Sequence, residues 1–182
     1  MKRLCADRLG ALARPRPVLH PREMGKIPRL QVAGTYHLTT RSIAEERIFR
    51  TDADYVDFLT LLAPLAWRCH AFCVMPTHYH VLATVPDDEL ARVMHTLNRR
   101  YAIRFNRRNA RRGHVFDGPY KSVSVESQAH LLWLARYIAQ NPHRPAEWRW
   151  SSFTTDYSFV DTAPLEGSFG GRDRMLRFAL DA

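Results

Sequence analysis

Two apolar runs, Arg68–Val74 and Thr77–Val85, stand either side of the dipeptide Met75-Pro76. Both are short, apolar and rich in residues that suit a pleated strand. A two-residue gap containing a proline leaves no room for a crossover, so the runs read as adjacent antiparallel strands. Tyr36–Arg41 alternates in the manner of a strand before them, and His114–Val125 does so after them around Gly118-Pro119. Between the first strand and the hairpin, Thr51 or Asp52 can cap a helix bearing Val56, Leu59, Ala63 and Ala66, ended by Pro64. After the hairpin, Asp87 or Asp88 opens a long helix along Leu90, Val93, Met94, Leu97, Tyr101 and Phe105, stopped by Gly113. The order is β-α-β-β-α-β, an α+β pattern of the ferredoxin-like split βαβ kind. It predicts a four-stranded antiparallel sheet with its helices on one face and the other face free for a ligand. A third helix, capped by Ser127, runs through Leu131, Leu132, Leu134 and Ile138 to Asn141-Pro142 and carries Tyr137.

At 182 residues the chain is of ordinary single-domain size. No window offers the roughly 20 apolar residues of a membrane span. Three cysteines, Cys5, Cys69 and Cys73, are too few and too odd in number for a disulfide framework, which fits a reducing cytosol. Cys69 and Cys73 fall on one strand face about 13 Å apart, too far to chelate one ion, and read as small core residues. Residues 1–25 form a basic, proline-interrupted tail, and Met24 is an alternative start that leaves it out. Residues 153–182 read as a second tail with a short amphipathic segment, Met175–Leu180. The balance of 27 Lys and Arg against 18 Asp and Glu gives a net charge of +9, which points to a polyanionic partner.

Two features concentrate the chemistry. His78 and His80 are two apart on a strand, so their imidazoles project from one face, about 7 Å apart at Cα, and can converge on one divalent ion. The long helix carries Arg100, Arg104, Arg107 and Arg111 within about 60° of one another, with no acid between Leu90 and Phe116. Such a one-sign stripe suits phosphate contacts, because each guanidinium can grip an oxyanion with two N–H groups. Tyr137 and Asn141 lie one turn apart on the third helix. Helical spacing alone makes Tyr137 a core or rim residue.

Four segments in order change that reading. Tyr36-His37-Leu38-Thr39-Thr40-Arg41, Met75-Pro76-Thr77-His78-Tyr79-His80, Arg136-Tyr137-Ile138-Ala139-Gln140-Asn141-Pro142 and Trp148-Arg149-Trp150-Ser151-Ser152 together resemble the IS200-like Y1 transposases, particularly their REP-associated branch. The resemblance spans residues 26–152 and implies an HUH-type single-strand DNA endonuclease. It implies that His78, His80 and Asn141 hold Mg2+ or Mn2+ and that Tyr137 is the nucleophile, leaving a 5′-phosphotyrosine and a free 3′-OH. It also implies that Arg41 and Lys121 approach DNA and that His37 neighbours the active site. The implied partner is single-stranded or hairpin DNA of REP type, met by a monomer or homodimer in the cytoplasm at the bacterial nucleoid. A domesticated hairpin-binding regulator without turnover is the alternative, and an RNA-binding domain on the same scaffold is a weaker one.

Overall fold

A computed structural model describes residues 33–65, 67–86 and 89–181. Residues 1–25, expected as a tail, lie outside the described residues, as do Asp87 and Asp88, the expected caps of the long helix. Four strands, β1 (Gly34–Arg41), β2 (Arg68–Val74), β3 (His78–Val85) and β4 (Lys121–Ser124), form one antiparallel sheet in the order β2-β3-β1-β4. Helix α1 (Asp52–Leu62) connects β1 to β2, and α2 (Leu90–Arg108) connects β3 to β4. This is the expected split βαβ topology, with the Met75-Pro76 break joining β2 to β3.

One face of the sheet presents Tyr36, Leu38, Phe72, Val74, Tyr79, Val81 and Ala83 to α1 and α2. The α1 contribution differs from the expected one. Val56 is 51% exposed, and Tyr55, Phe58, Leu61 and Leu62 are buried in its place. Aromatic packing decides this, since Phe58 meets Tyr79 and Tyr101 at ring separations of 4.6 and 5.5 Å. The start of α1 is locked by Asp54, whose carboxylate accepts from the backbone N–H groups of Thr51 (2.9 Å) and Arg50 (3.0 Å). Burial alone would raise the Asp54 pKa, but those bonds, the Arg108 guanidinium and the Thr51 hydroxyl together hold it below the usual carboxylate value.

The opposite face is not left free. Helix α3 (Gln128–Ala139) lies against β2 and β3, burying Leu131, Leu134, Ala135 and Ile138 with Ala71, Cys73 and Leu82. Residues 153–181, expected as a tail, extend this second layer. They form α4 (Ala163–Phe169) and α5 (Arg172–Leu180), and Phe153, Leu165, Met175 and Ala179 are buried in the same cluster. Loop-like composition around Pro164 and Gly167–Gly171 hid α4, whereas α5 contains the amphipathic segment Met175–Leu180 read from the sequence. Gly170, at φ 66°, ends α4 in the left-handed conformation that glycine accepts without strain.

Two further differences are local. The last strand is only four residues long, and Phe116 makes an isolated bridge to Ser42. In β2 a bulge between Cys69 and Ala71 shifts the register. One extra residue reverses the alternation of side chains, so Cys69 joins the first cluster and Cys73 the second, not one shared face. Both thiols are buried and pushed up to about 12 by desolvation, in keeping with core roles. No helix among the described residues is long and apolar enough to cross a membrane.

Candidate functional site

Tyr79 fixes the orientation of the His78-Tyr79-His80 motif. Its ring is fully buried toward α2, and its hydroxyl accepts from Thr40 Oγ1 (2.9 Å) and donates to Asn98 Oδ1 (2.6 Å). With Tyr79 held on one side, His78 and His80 must both face the other, because slipping the register by one residue would expose that ring. The two imidazoles lie 5.0 Å apart at their centroids and nearly perpendicular, at 82°.

Each ring is oriented through Nδ1. His80 Nδ1 is 2.9 Å from His37 Nε2, and His78 Nδ1 is 2.9 Å from Thr77 Oγ1. When His80 Nδ1–H donates to His37 and His78 Nδ1–H donates to Thr77, both rings present an Nε2 lone pair. His80 Nε2 is buried with no hydrogen-bond partner. Burial, with smaller contributions from His37, His78 and Arg41, pushes the His80 pKa down to about 3. Burial and then the nearby His130 lower His37 to about 4. Burial and the Arg41 charge also lower His78. At neutral pH all three are therefore neutral imidazoles.

Helix α3 brings the remaining residues over this cluster. Ser127 caps it, its Oγ accepting from His130 N–H at 3.2 Å, and its apolar stripe docks on β2 and β3. Tyr137, on the border of that stripe, meets His80 at 5.5 Å and His37 at 5.9 Å, edge-on to both, and remains 43% exposed. Asn141 donates from Nδ2 to the Tyr137 carbonyl at 2.9 Å. Its Oδ1 is thereby available to His78 and His80, where the amide works against their lowered pKa values. Two imidazole nitrogens, one of them buried and unpaired, plus an amide oxygen suit a divalent cation. Among the described residues, no three His, Cys, Asp or Glu side chains form such a group by themselves.

The expected DNA contacts divide between two sides of the sheet. Arg41 pairs with His78 across β1–β3, and Lys121 is opposite Thr39, which is opposite His80. Opposed residues share a face, so Arg41 and Lys121 line the same side as the histidines. The arginine stripe lies on α2, which covers the other side. Nor is it unpaired, because acids distant in sequence meet it. Arg104 binds Asp57 at 2.5 Å and Arg111 binds Glu46 at 2.6 Å, while Arg100 and Arg107 have no ion pair among the described residues. Sequence reasoning missed Thr77, whose role follows from one hydrogen bond that no spacing announces. It also missed Trp133, whose position one turn before Tyr137 was legible.

Residues 31–141 match the family model described as "Transposase IS200 like". The fold is similar to a solved structure of a REP-associated tyrosine transposase bound to a REP hairpin, with a TM-score of 0.57 and 15% sequence identity over 75% of this chain and 96% of that one. A search of curated proteins finds no match to this sequence. The family match covers more than half of the chain and includes both the His78-Tyr79-His80 motif and Tyr137, so the chain belongs to the IS200-like transposase family.

Proposed function

We propose that this transposase-family protein cleaves and rejoins single-stranded DNA through Tyr137, on a substrate carrying a REP-like hairpin. The observation that carries the reading is the edge-on contact of Tyr137 with His37 and His80, beside a buried, unpaired His80 Nε2. His78, His80 and Asn141 would hold a divalent cation, Mg2+ or Mn2+, which when bound supplies Lewis-acid polarisation of the scissile phosphate. Tyr137 Oη attacks the phosphorus and gives up its proton to solvent. The P–O3′ bond breaks, and the departing 3′-oxygen takes up a proton. The products are a 5′-phosphotyrosine and a free 3′-OH, so the phosphodiester count is unchanged and rejoining is the reverse step. His37 and Thr77 hold the two imidazoles in the tautomer that offers Nε2. Hairpin DNA as the substrate is supported by the ligand of the structural neighbour, and the net charge of +9 favours any such polyanion.

The test is incubation of labelled hairpin DNA bearing single-stranded flanks with the parent and with Tyr137→Phe, each with and without magnesium. The parent should form a covalent adduct only with magnesium. The variant should form none while keeping DNA affinity within a few-fold, because it keeps the ring and loses only the hydroxyl. Equal nicking by both proteins removes Tyr137 from the chemistry. Tight hairpin binding without any adduct by the parent favours a non-catalytic regulator.

A further inference from the structure

Trp133 is out of place by the ordinary rules of burial. It is the most exposed large hydrophobic residue among those described, at 59%, and the α3 core stripe makes no use of it. Leaving an indole in water forgoes the stabilisation that its burial would bring. Yet the ring is packed against neighbours on its own helix. Its plane is within 7° of the Tyr137 ring, with centroids 5.5 Å apart, an offset parallel stack. His130 lies 6.4 Å away on the preceding turn. Tyr137 occupies one side of the indole, and more than half of the side chain still meets solvent.

An exposed, flat, oriented aromatic ring beside a nucleophile in a cationic protein fits one occupant best, an unpaired nucleobase. Every base has a π-face, so stacking on an aromatic ring holds a strand without requiring a given sequence. A protein partner would favour an apolar patch, and of the other large exposed hydrophobic residues among those described, Val56 and Ile103 lie on α1 and α2, on the other side of the sheet from Trp133, leaving Tyr137 and Val123 on its side.

We propose that Trp133 is a stacking platform for one unpaired base of the reacting strand, adjacent to the phosphodiester that Tyr137 attacks. This rests on the single-strand DNA reading above. With a base seated on the indole, the backbone one nucleotide away is confined near the phenol, which converts a flexible strand into a positioned one. Trp133 is then a positioning residue, acting through the DNA.

The experiment uses the full chain carrying Tyr137→Phe, to prevent turnover, and hairpin oligonucleotides in which each flanking nucleotide is made abasic in turn. Affinities are measured by fluorescence anisotropy for Trp133 intact, Trp133→Ala and Trp133→Phe. Loss of one base–aromatic stack weakens binding about 5- to 150-fold. Trp133→Ala should therefore bind the intact oligonucleotide that much more weakly, with Trp133→Phe recovering most of the loss. One abasic position should reproduce the loss in the intact-Trp133 protein and add nothing in Trp133→Ala. Losses that multiply at every abasic position overturn the proposal. So does unchanged affinity with slower cleavage by Trp133→Ala in the Tyr137 background, which would make the indole only a prop for the phenol. If the intact-Trp133 protein fails to bind the strand at all, the single-strand reading falls with it. If it binds and is indifferent to Trp133→Ala, only the platform falls.

Discussion

At the scale of single residues, the histidine cluster sets two expectations. His37 and His80 have folded-state pKa values of about 4 and 3, against 6.5 for a free imidazole. The unfolded chain therefore takes up protons that the folded chain refuses, and stability rises with pH between about 4 and 6.5 and is level above. Thermal unfolding in chelator across this range should show the slope, and His37→Asn should reduce it. A parent whose melting temperature is flat from pH 4 to 6.5 would contradict buried neutral imidazoles here. The second expectation concerns metal. His78→Ala or His80→Ala should remove divalent-ion binding in titration calorimetry and lower cleavage by on the order of a thousandfold, with folding retained. Parental cleavage by either variant would show that the pair does not hold a metal. These two residues and Tyr137 were legible because motif order carries them. The orienting bonds from His37 and Thr77 were not, since they depend on side-chain geometry and not on spacing.

At the scale of elements, α2 is the informative case. Its apolar face was readable, and Leu90, Met94, Leu97, Tyr101 and Phe105 are all buried. Its arginines were not, because the acids that neutralise them arrive from α1 and the loop before it. If α2 contacts phosphates, the unpaired residues should do most of it. The double variant Arg100→Ala/Arg107→Ala should flatten the dependence of log affinity on log salt by about 1.4 for single-stranded DNA. Arg104→Ala/Arg111→Ala should change it less, since Asp57 and Glu46 already neutralise those charges. Equal slopes in parent and first variant would leave α2 as a solvated basic face. Helix α1 shows the complementary error. Periodicity alone placed Val56 inside, whereas three-dimensional packing of Tyr55 and Phe58 with Phe49 and Tyr101 turned the helix so that Val56 faces water.

At the scale of the whole molecule, topology was legible from the hairpin and the two crossover helices, but the extent of the folded unit was not. Residues 153–181 lack a long apolar period; beyond the short amphipathic segment Met175–Leu180, only packing against α3 reveals them as part of the folded unit. That packing is testable. Leu165 is fully buried among α3 and α5 residues, so Leu165→Ala should cost about 2–4 kcal/mol in chemical unfolding. A loss below about 0.5 kcal/mol, the scale of a surface change, would return the segment to a tail. The second layer also stops short. Helix α3 reaches His37 through Tyr137, and beyond it Lys121 and Val123 of β4 stay exposed on the histidine side. Tyr137 thus stands at the margin of a roof that covers half a floor. Under the proposed function, a strand can be laid in from the side, with no free end threaded through an opening. A closed circle of single-stranded DNA should then be nicked as readily as a linear fragment of the same sequence.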